Sequence, residues 1–185
     1  MIRKAKPSDS KFVVPLIIQA MGELAGKFAN SNDSDIIFNL FEYFFQQKEN
    51  QYSYQNTLVF TSDDEILGAI NAYDGAQLYL LRKPLLDYLE TQGNAQKLSV
   101  AQETEEGEFY IDTVSVKPEA QGKGIGKLLI YAAIDWAKEL NHRQVGLLVE
   151  KNNPGALKLY QKIGFYIKND KTFLGGEYHH MVYSI

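Results

Sequence analysis

Apolar positions along this chain repeat first at helical spacing, then at strand spacing, and then alternate between the two. Phe12, Val13, Leu16, Ile17, Ala20 and Leu24 recur three and four residues apart behind Pro7-Ser8-Asp9, which predicts an amphipathic helix entered through a turn rich in capping oxygens. Met1–Ala5, ahead of that turn, reads as a short strand. Asp33 can cap a second helix with Ile36, Ile37, Leu40, Phe41 and Phe44 on one face, ending in the polar run 46–51, so the two helices are expected to form an αα pair. Leu58-Val59-Phe60 and Ile66-Leu67-Gly68-Ala69-Ile70 flank Ser62-Asp63-Asp64-Glu65, a hairpin pattern. Pro84 to Glu90, stopped by Gly93, predicts a short helix, and 96–107, with Glu103, Glu105 and Glu106 beside Glu108, an exposed acidic loop. Residues 82–107 are thus expected to form an insertion over one end of a sheet.

The second half alternates cleanly. Strand Phe109 to Val116, helix Gly124 to Leu140, strand Gln144 to Val149 and helix Pro154 to Ile163 precede two β-rich stretches, Phe165 to Lys168 and Tyr178 to Tyr183. Strand, helix, strand implies a parallel pair joined by a right-handed crossover. The expected class is α/β (α+β), a central mixed twisted sheet flanked by helices. The length of 185 residues, without repeats or low-complexity linkers, favours one domain over 1–185.

Composition narrows the chemistry. There is no cysteine, which removes thiolate nucleophiles and cysteine metal sites. A formal charge of −4 supplies no basic field for nucleic acid and mildly favours a cationic substrate. No run approaches the ~20 apolar residues of a membrane span and the first residues lack a signal-peptide core, so no membrane partner and a cytoplasmic location are expected. His142, His179 and His180 do not make a metal site: adjacent histidines on a strand point to opposite faces, and no third ligand is spaced to join them.

Between the strand ending at Val116 and the helix beginning near Gly124 runs Lys117-Pro118-Glu119-Ala120-Gln121-Gly122-Lys123-Gly124-Ile125-Gly126. Glycine lets backbone approach a ligand, and the first-turn amides of a helix lack intrahelical acceptors beside the positive dipole end, which makes a cradle for a pyrophosphate. Lys127 stands where a P-loop needs its second glycine, and the dinucleotide fingerprint fails on spacing too. Ile125, Leu128, Leu129, Ala132, Ala133 and Trp136 form an apolar stripe that would dock the helix and hold its start rigid.

Gln121-Gly122-Lys123-Gly124-Ile125-Gly126 resembles the Gln/Arg-x-x-Gly-x-Gly/Ala signature of the GNAT N-acetyltransferases, and Val114-Ser115-Val116-Lys117-Pro118 resembles the strand end before it. Asn153 through Tyr160, followed by Ile163-Gly164-Phe165, resembles the family's second motif. The resemblance implies the GNAT acyl-CoA N-acyltransferase fold, acetyl-CoA as acyl donor, and transfer to a primary amine of a small molecule or peptide by direct attack in a ternary complex. It implies that Gln121, Gly122, Lys123, Gly124, Ile125 and Gly126 hold the pyrophosphate, and that the edge Val114-Ser115-Val116 pairs with the pantetheine arm. Two splayed central strands would leave Val114 and 147–149 around the thioester. Tyr160 falls on the position of a general acid for the departing thiolate, and Asn153 on one that caps the next helix and touches the cofactor. Asp112 or Glu108, which share the strand parity of Val114, is the candidate base that deprotonates the amine. The acceptor is expected against the N-terminal helices, Tyr73, Tyr79, Phe109 and the acidic segment 103–108. The alternative is a noncatalytic acyl-CoA-binding or interaction module on the same fold. A homodimer through the strand at 178–185 is left open.

Overall fold

The computed structural model describes residues 1–92 and 102–185. Seven strands form one sheet in the order β1-β2-β3-β4-β5-β7-β6: β1 Ile2–Lys4, β2 Thr57–Ser62, β3 Glu65–Asp74, β4 Glu108–Val116, β5 Gln144–Glu150, β6 Tyr166–Phe173 and β7 Gly176–Ser184. All neighbours are antiparallel except β4 and β5, the parallel pair that the crossover pattern predicts. The strand β7 pairs within the chain, with β5 on one side and β6 on the other.

Among the described residues six α-helices cover the two faces: α1 Ser10–Met21, α2 Glu23–Ala29, α3 Ser34–Gln46, α4 Leu78–Thr91, α5 Ile125–Glu139 and α6 Pro154–Ile163. Strand alternation sorts the cores. Val59 and Ala69 face α1, α2, α3 and α4, with Val14, Ile17, Phe28, Phe41, Phe45 and Leu85. Leu58 and Ile70 face the opposite way, against Leu129, Ile130 and Ala133 of α5 and Tyr160 and Ile163 of α6.

Local chemistry accounts for most boundaries. Asp33 caps α3, accepting from the amides of Asp35 and Ile36 at 2.9 and 3.1 Å. The β2–β3 hairpin turns on Asp63 and Asp64, both at positive φ (49° and 62°), a conformation that Asp tolerates and that matches strand twist.

Five expectations need correction. The N-terminal helix is two, α1 and α2, bent by 107° at Gly22, whose φ of 55° and ψ of −127° no helix continues through. Helix α4 begins at Leu78, six residues before the expected start, and carries Pro84 inside it. Its Arg82, Leu85 and Leu89 are buried, so this part of 82–107 belongs to the core and is not an insertion laid over it. The acidic segment is not simply exposed: Glu103, Thr104 and Glu108 are buried, while 96–101 and Gly93 lie outside the described residues. On α5 the buried positions are Ile125, Leu129, Ile130, Ala133, Ile134 and Ala137, and Leu128 is exposed, because the helix is rolled one position from the stripe the sequence suggests.

Candidate active site

The parallel pairing of β4 with β5 ends early. It runs from Glu108↔Gln144 to Ile111↔Leu147, although β4 continues to Val116 and β5 to Glu150. Past that point the strands part, and a cleft of about 570 Å³ lies in the gap, walled by Asp112, Thr113, Val114, Ser115 and Val116 on one side and by Leu148, Val149 and Glu150 on the other. Leu147 itself is paired and buried below the opening.

A bulge starts the divergence. On the β3 side the register steps from Asn71↔Thr113 to Ala72↔Ile111, leaving Asp112 as the extra residue. Phe109, Ile111, Val114 and Val116 all pack toward α5, so strand parity shifts between Ile111 and Val114. Asp112 therefore does not share a face with Val114, as simple alternation suggests. It turns to the α1 side, where its Oδ2 accepts from Gln51 Nε2 and from the Tyr73 hydroxyl, both at 2.6 Å. With both donors on one oxygen, Oδ1 has no partner among the described residues. Burial raises the Asp112 pKa above the usual carboxylate value; the Tyr73 and Gln51 bonds and the charge of Arg82 oppose it and do not cancel it.

Glu108 goes elsewhere. Its carboxylate lies buried over Gly146, Oε2 bonding His180 Nε2 at 2.9 Å and Oε1 accepting from the Glu105 amide at 2.8 Å. It does not line the cleft. Phe109 likewise packs on Trp136 of α5, and Tyr79 stands in solvent, so neither lines the cleft.

The glycine turn sits at one end of the cleft. Gly122 and Gly124 take φ of 76° and 80°, and a Cβ at either would meet nothing within 4 Å, so the turn is open to whatever approaches. The first bond into α5 runs from Leu128 N–H to Gly124 carbonyl at 3.1 Å, which leaves the Ile125, Gly126 and Lys127 amides without helical acceptors. Gln121 and Gly126 line the cleft; Lys123 and Lys127 are not among its lining residues, and the Lys127 ammonium lies 5.6 Å from the Tyr131 ring. The Val116 carbonyl accepts from Gln121 Nε2 at 3.1 Å and from Gln19 Nε2 at 3.0 Å, and Gln19 also bonds Ser115 Oγ at 2.7 Å. These side chains tie the turn and α1 to the bare strand.

Across the gap, Asn153 caps α6 by accepting from the Ala156 amide at 3.0 Å and also lines the cleft. Tyr160, almost two turns on, reaches the same cleft, with Phe165 edge-on behind it at 5.8 Å. Its hydroxyl has no hydrogen-bond partner among the described residues, and burial pushes its pKa up to about 12, so it remains a protonated donor.

At the other end of the cleft stand Phe28 and Glu103, from the N-terminal helices and the acidic segment that the sequence reading set near the acceptor, together with Tyr52, Tyr110, Phe173 and Tyr178, which it did not single out. Behind them Arg82 pairs with Glu103 through one guanidinium nitrogen and with Gln51 Oε1 through Nε at 3.0 Å. Burial raises the Glu103 pKa, and the charge of Arg82 only partly offsets this. Gln51, at the end of a run read only as polar, joins this pair to Asp112; the signal that could have found it is its place next to the aromatic-rich stretch Tyr52–Tyr54. Among the described residues, no group of three acidic or histidine side chains is arranged to hold a metal.

The family model for the acetyltransferase (GNAT) family matches residues 27–165. The chain belongs to that family. GNAT relatives include a GCN5-related N-acetyltransferase 4 of Arabidopsis thaliana, 33% identical over 118 residues, covering 61% of this chain and 38% of the relative. A mycothiol acetyltransferase of Renibacterium salmoninarum is 42% identical over 59 residues, 32% of this chain and 17% of the relative. The chain thus spans well under half the length of these curated GNAT proteins. A solved acetyltransferase structure superposes over 100% of this chain and 99% of its own, with a TM-score of 0.83 and 27% identity.

Proposed function

We propose that this protein transfers the acetyl group of acetyl-CoA to a primary amine of a small molecule or peptide, by direct attack in a ternary complex. One observation carries the reading: a single cleft joins the open glycine turn, the splayed β4 edge, the unpartnered Tyr160 hydroxyl and the half-bonded Asp112 carboxylate. Acetyl-CoA is the second substrate; Gln121 to Gly126 suit its pyrophosphate, and the β4 edge at 114–116, where Gln19 and Gln121 already hold the Val116 carbonyl but β5 no longer pairs, suits the amides of its pantetheine arm.

The incoming amine is protonated at neutral pH, since a free alkyl amine has a pKa near ~10. Asp112 takes that proton through Oδ1, and Gln51 and Tyr73 hold the carboxylate in place while it does. The nitrogen lone pair then forms a bond to the acetyl carbonyl carbon. As the carbon–sulfur bond breaks, the thiolate takes the Tyr160 proton. The remaining proton on nitrogen passes through the cleft to the Tyr160 phenolate, and Asp112 releases its proton to solvent, giving an amide and a free thiol with both side chains restored. Glu108 has no part in this, because its carboxylate is held by His180 and the Glu105 amide away from the cleft.

A broad amine panel monitored by thiol release from acetyl-CoA tests the proposal. Acceptor-dependent release is expected. Thermal stabilisation by acetyl-CoA with no release from any amine would indicate a binding module instead.

A further inference from the structure

The acceptor end of the cleft holds more negative charge than the transfer itself uses. Asp112 has the task of taking a proton, but Glu103 has none. One oxygen of Glu103 is paired with Arg82; the other, Oε2, is buried and has no hydrogen-bond partner among the described residues, and neither has the hydroxyl of Tyr52, a residue only 1% exposed. Buried polar atoms in folded proteins are nearly always bonded, because leaving one unpaired costs its full desolvation. Both residues face the same cleft, so a ligand bearing hydrogen-bond donors would satisfy them.

The sign of that ligand follows from the wall. Three carboxylates, Glu103, Asp112 and Glu150, line the cleft, and among the described residues no lysine, arginine or histidine does. Arg82 is behind the wall, its guanidinium 5.3 Å from the Phe28 ring and its Nε on Gln51. A zwitterionic amino acid would bring its carboxylate toward carboxylates, whereas a second ammonium would bring donors to Oε2 and to the Tyr52 oxygen beside aromatic faces that attract cations.

We propose that the acceptor is a small diamine or polyamine: one amine reacts beside Asp112, and a second, which stays protonated, is held by Glu103 Oε2 and the Tyr52 hydroxyl. This rests on the acetyl-transfer reading and names its substrate class. Asp112 is the catalytic residue, and Glu103 and Tyr52 set specificity through the part of the substrate that does not react.

The test compares putrescine and spermidine with butylamine and γ-aminobutyrate, using thiol release from acetyl-CoA by the full chain. At least one polyamine is expected to exceed butylamine in kcat/KM by about tenfold or more, because butylamine brings no donor to Glu103 Oε2, and γ-aminobutyrate is expected to be the slowest. The gap should narrow in Glu103→Gln and in Tyr52→Phe; the second variant removes a single oxygen and keeps the fold if loss of the Arg82 partner destabilises the first. Equal rates for butylamine or γ-aminobutyrate and the polyamines would overturn the assignment, as would a gap that survives Tyr52→Phe and a folded Glu103→Gln. Turnover of other amines with none of these four would also overturn it while leaving acetyl transfer intact. Absence of release with every acceptor would instead remove the acetyl-transfer reading on which it stands.

Discussion

In the proposed reaction Tyr160 and Asp112 divide the proton traffic between them, and each has an environment that matches the task proposed for it. Burial keeps the Tyr160 phenol protonated, with a pKa pushed up to about 12, so it can donate to a thiolate at any physiological pH. Tyr160→Phe is expected to lower kcat by about a hundredfold while changing the KM for acetyl-CoA by less than about twofold, read from steady-state thiol release. Asp112 must be ionised to accept a proton, and burial raises its pKa, so kcat/KM should climb with pH through a group titrating above the ordinary carboxylate range. That limb should vanish in Asp112→Asn, along with about a hundredfold or more in rate, leaving only the limb set by the amine's own ionisation. Both residues were named from the sequence, but Asp112 was offered there with Glu108 as the alternative base. Choosing between Asp112 and Glu108 needed the bulge, which depends on how β4 pairs with β3 and leaves no mark in the residue types themselves.

At the scale of elements, the glycine turn and α5 act together. Gly122 and Gly124 sit at positive φ, where a side chain costs about 1–2 kcal/mol, and they leave the helix start open. Gly124→Val is therefore expected to lose most of the rise in Tm that acetyl-CoA produces, measured against the fall in Tm of the unliganded variant. The docking of α5 has a second requirement, at Gly68 of β3. A Cβ there would lie 3.1 Å from Leu129, 3.2 Å from Ile125 and 3.0 Å from the Ser115 carbonyl, so glycine lets α5 settle onto the sheet at this height without those neighbours giving way. The turn was legible because glycines at fixed spacing before an apolar helix are a local pattern. The roll of α5, the break at Gly22 and the early start of α4 were not, since each is set by partners distant in sequence. The Leu81 carbonyl of α4, for instance, accepts from the Gln51 amide at 2.8 Å, and this contact holds Arg82 beside Gln51.

Across the whole molecule, buried and half-buried charges join the two halves of the sheet. Glu108 of β4 reaches over Gly146 of β5 to His180 of β7, so three strands share one polar contact. A Cβ at position 146 would run into that carboxylate, and Gly146→Ala is expected to destabilise the fold by about 1–3 kcal/mol in denaturant titrations. Glu105 ties the loop before β4 to β6: burial would raise its pKa, but bonds from Lys168, Asn169 and Lys171 outweigh this and lower it to about 2. A carboxylate lowered in the folded state contributes stability above its unfolded pKa and loses it as pH falls. Wild-type stability should therefore decline more steeply than that of Glu105→Gln between roughly pH 4.5 and 2, with a difference at neutral pH below about 1 kcal/mol because these groups are partly exposed.

By itself the amino-acid sequence determined the order of strands and helices, the glycine turn, the cap at Asn153 and the family, because each is written in local periodicity or in motifs whose spacing fits one backbone geometry. Tertiary structure alone decided the acceptor end of the cleft. Gln51, Tyr52, Glu103, Tyr110 and Asp112 come from segments far apart in the chain, and what brings them together is the packing of α1–α4 on one face of the sheet and the early end of β4–β5 pairing. Such a site is defined by distances across the core, and residue spacing along the chain carries no record of them.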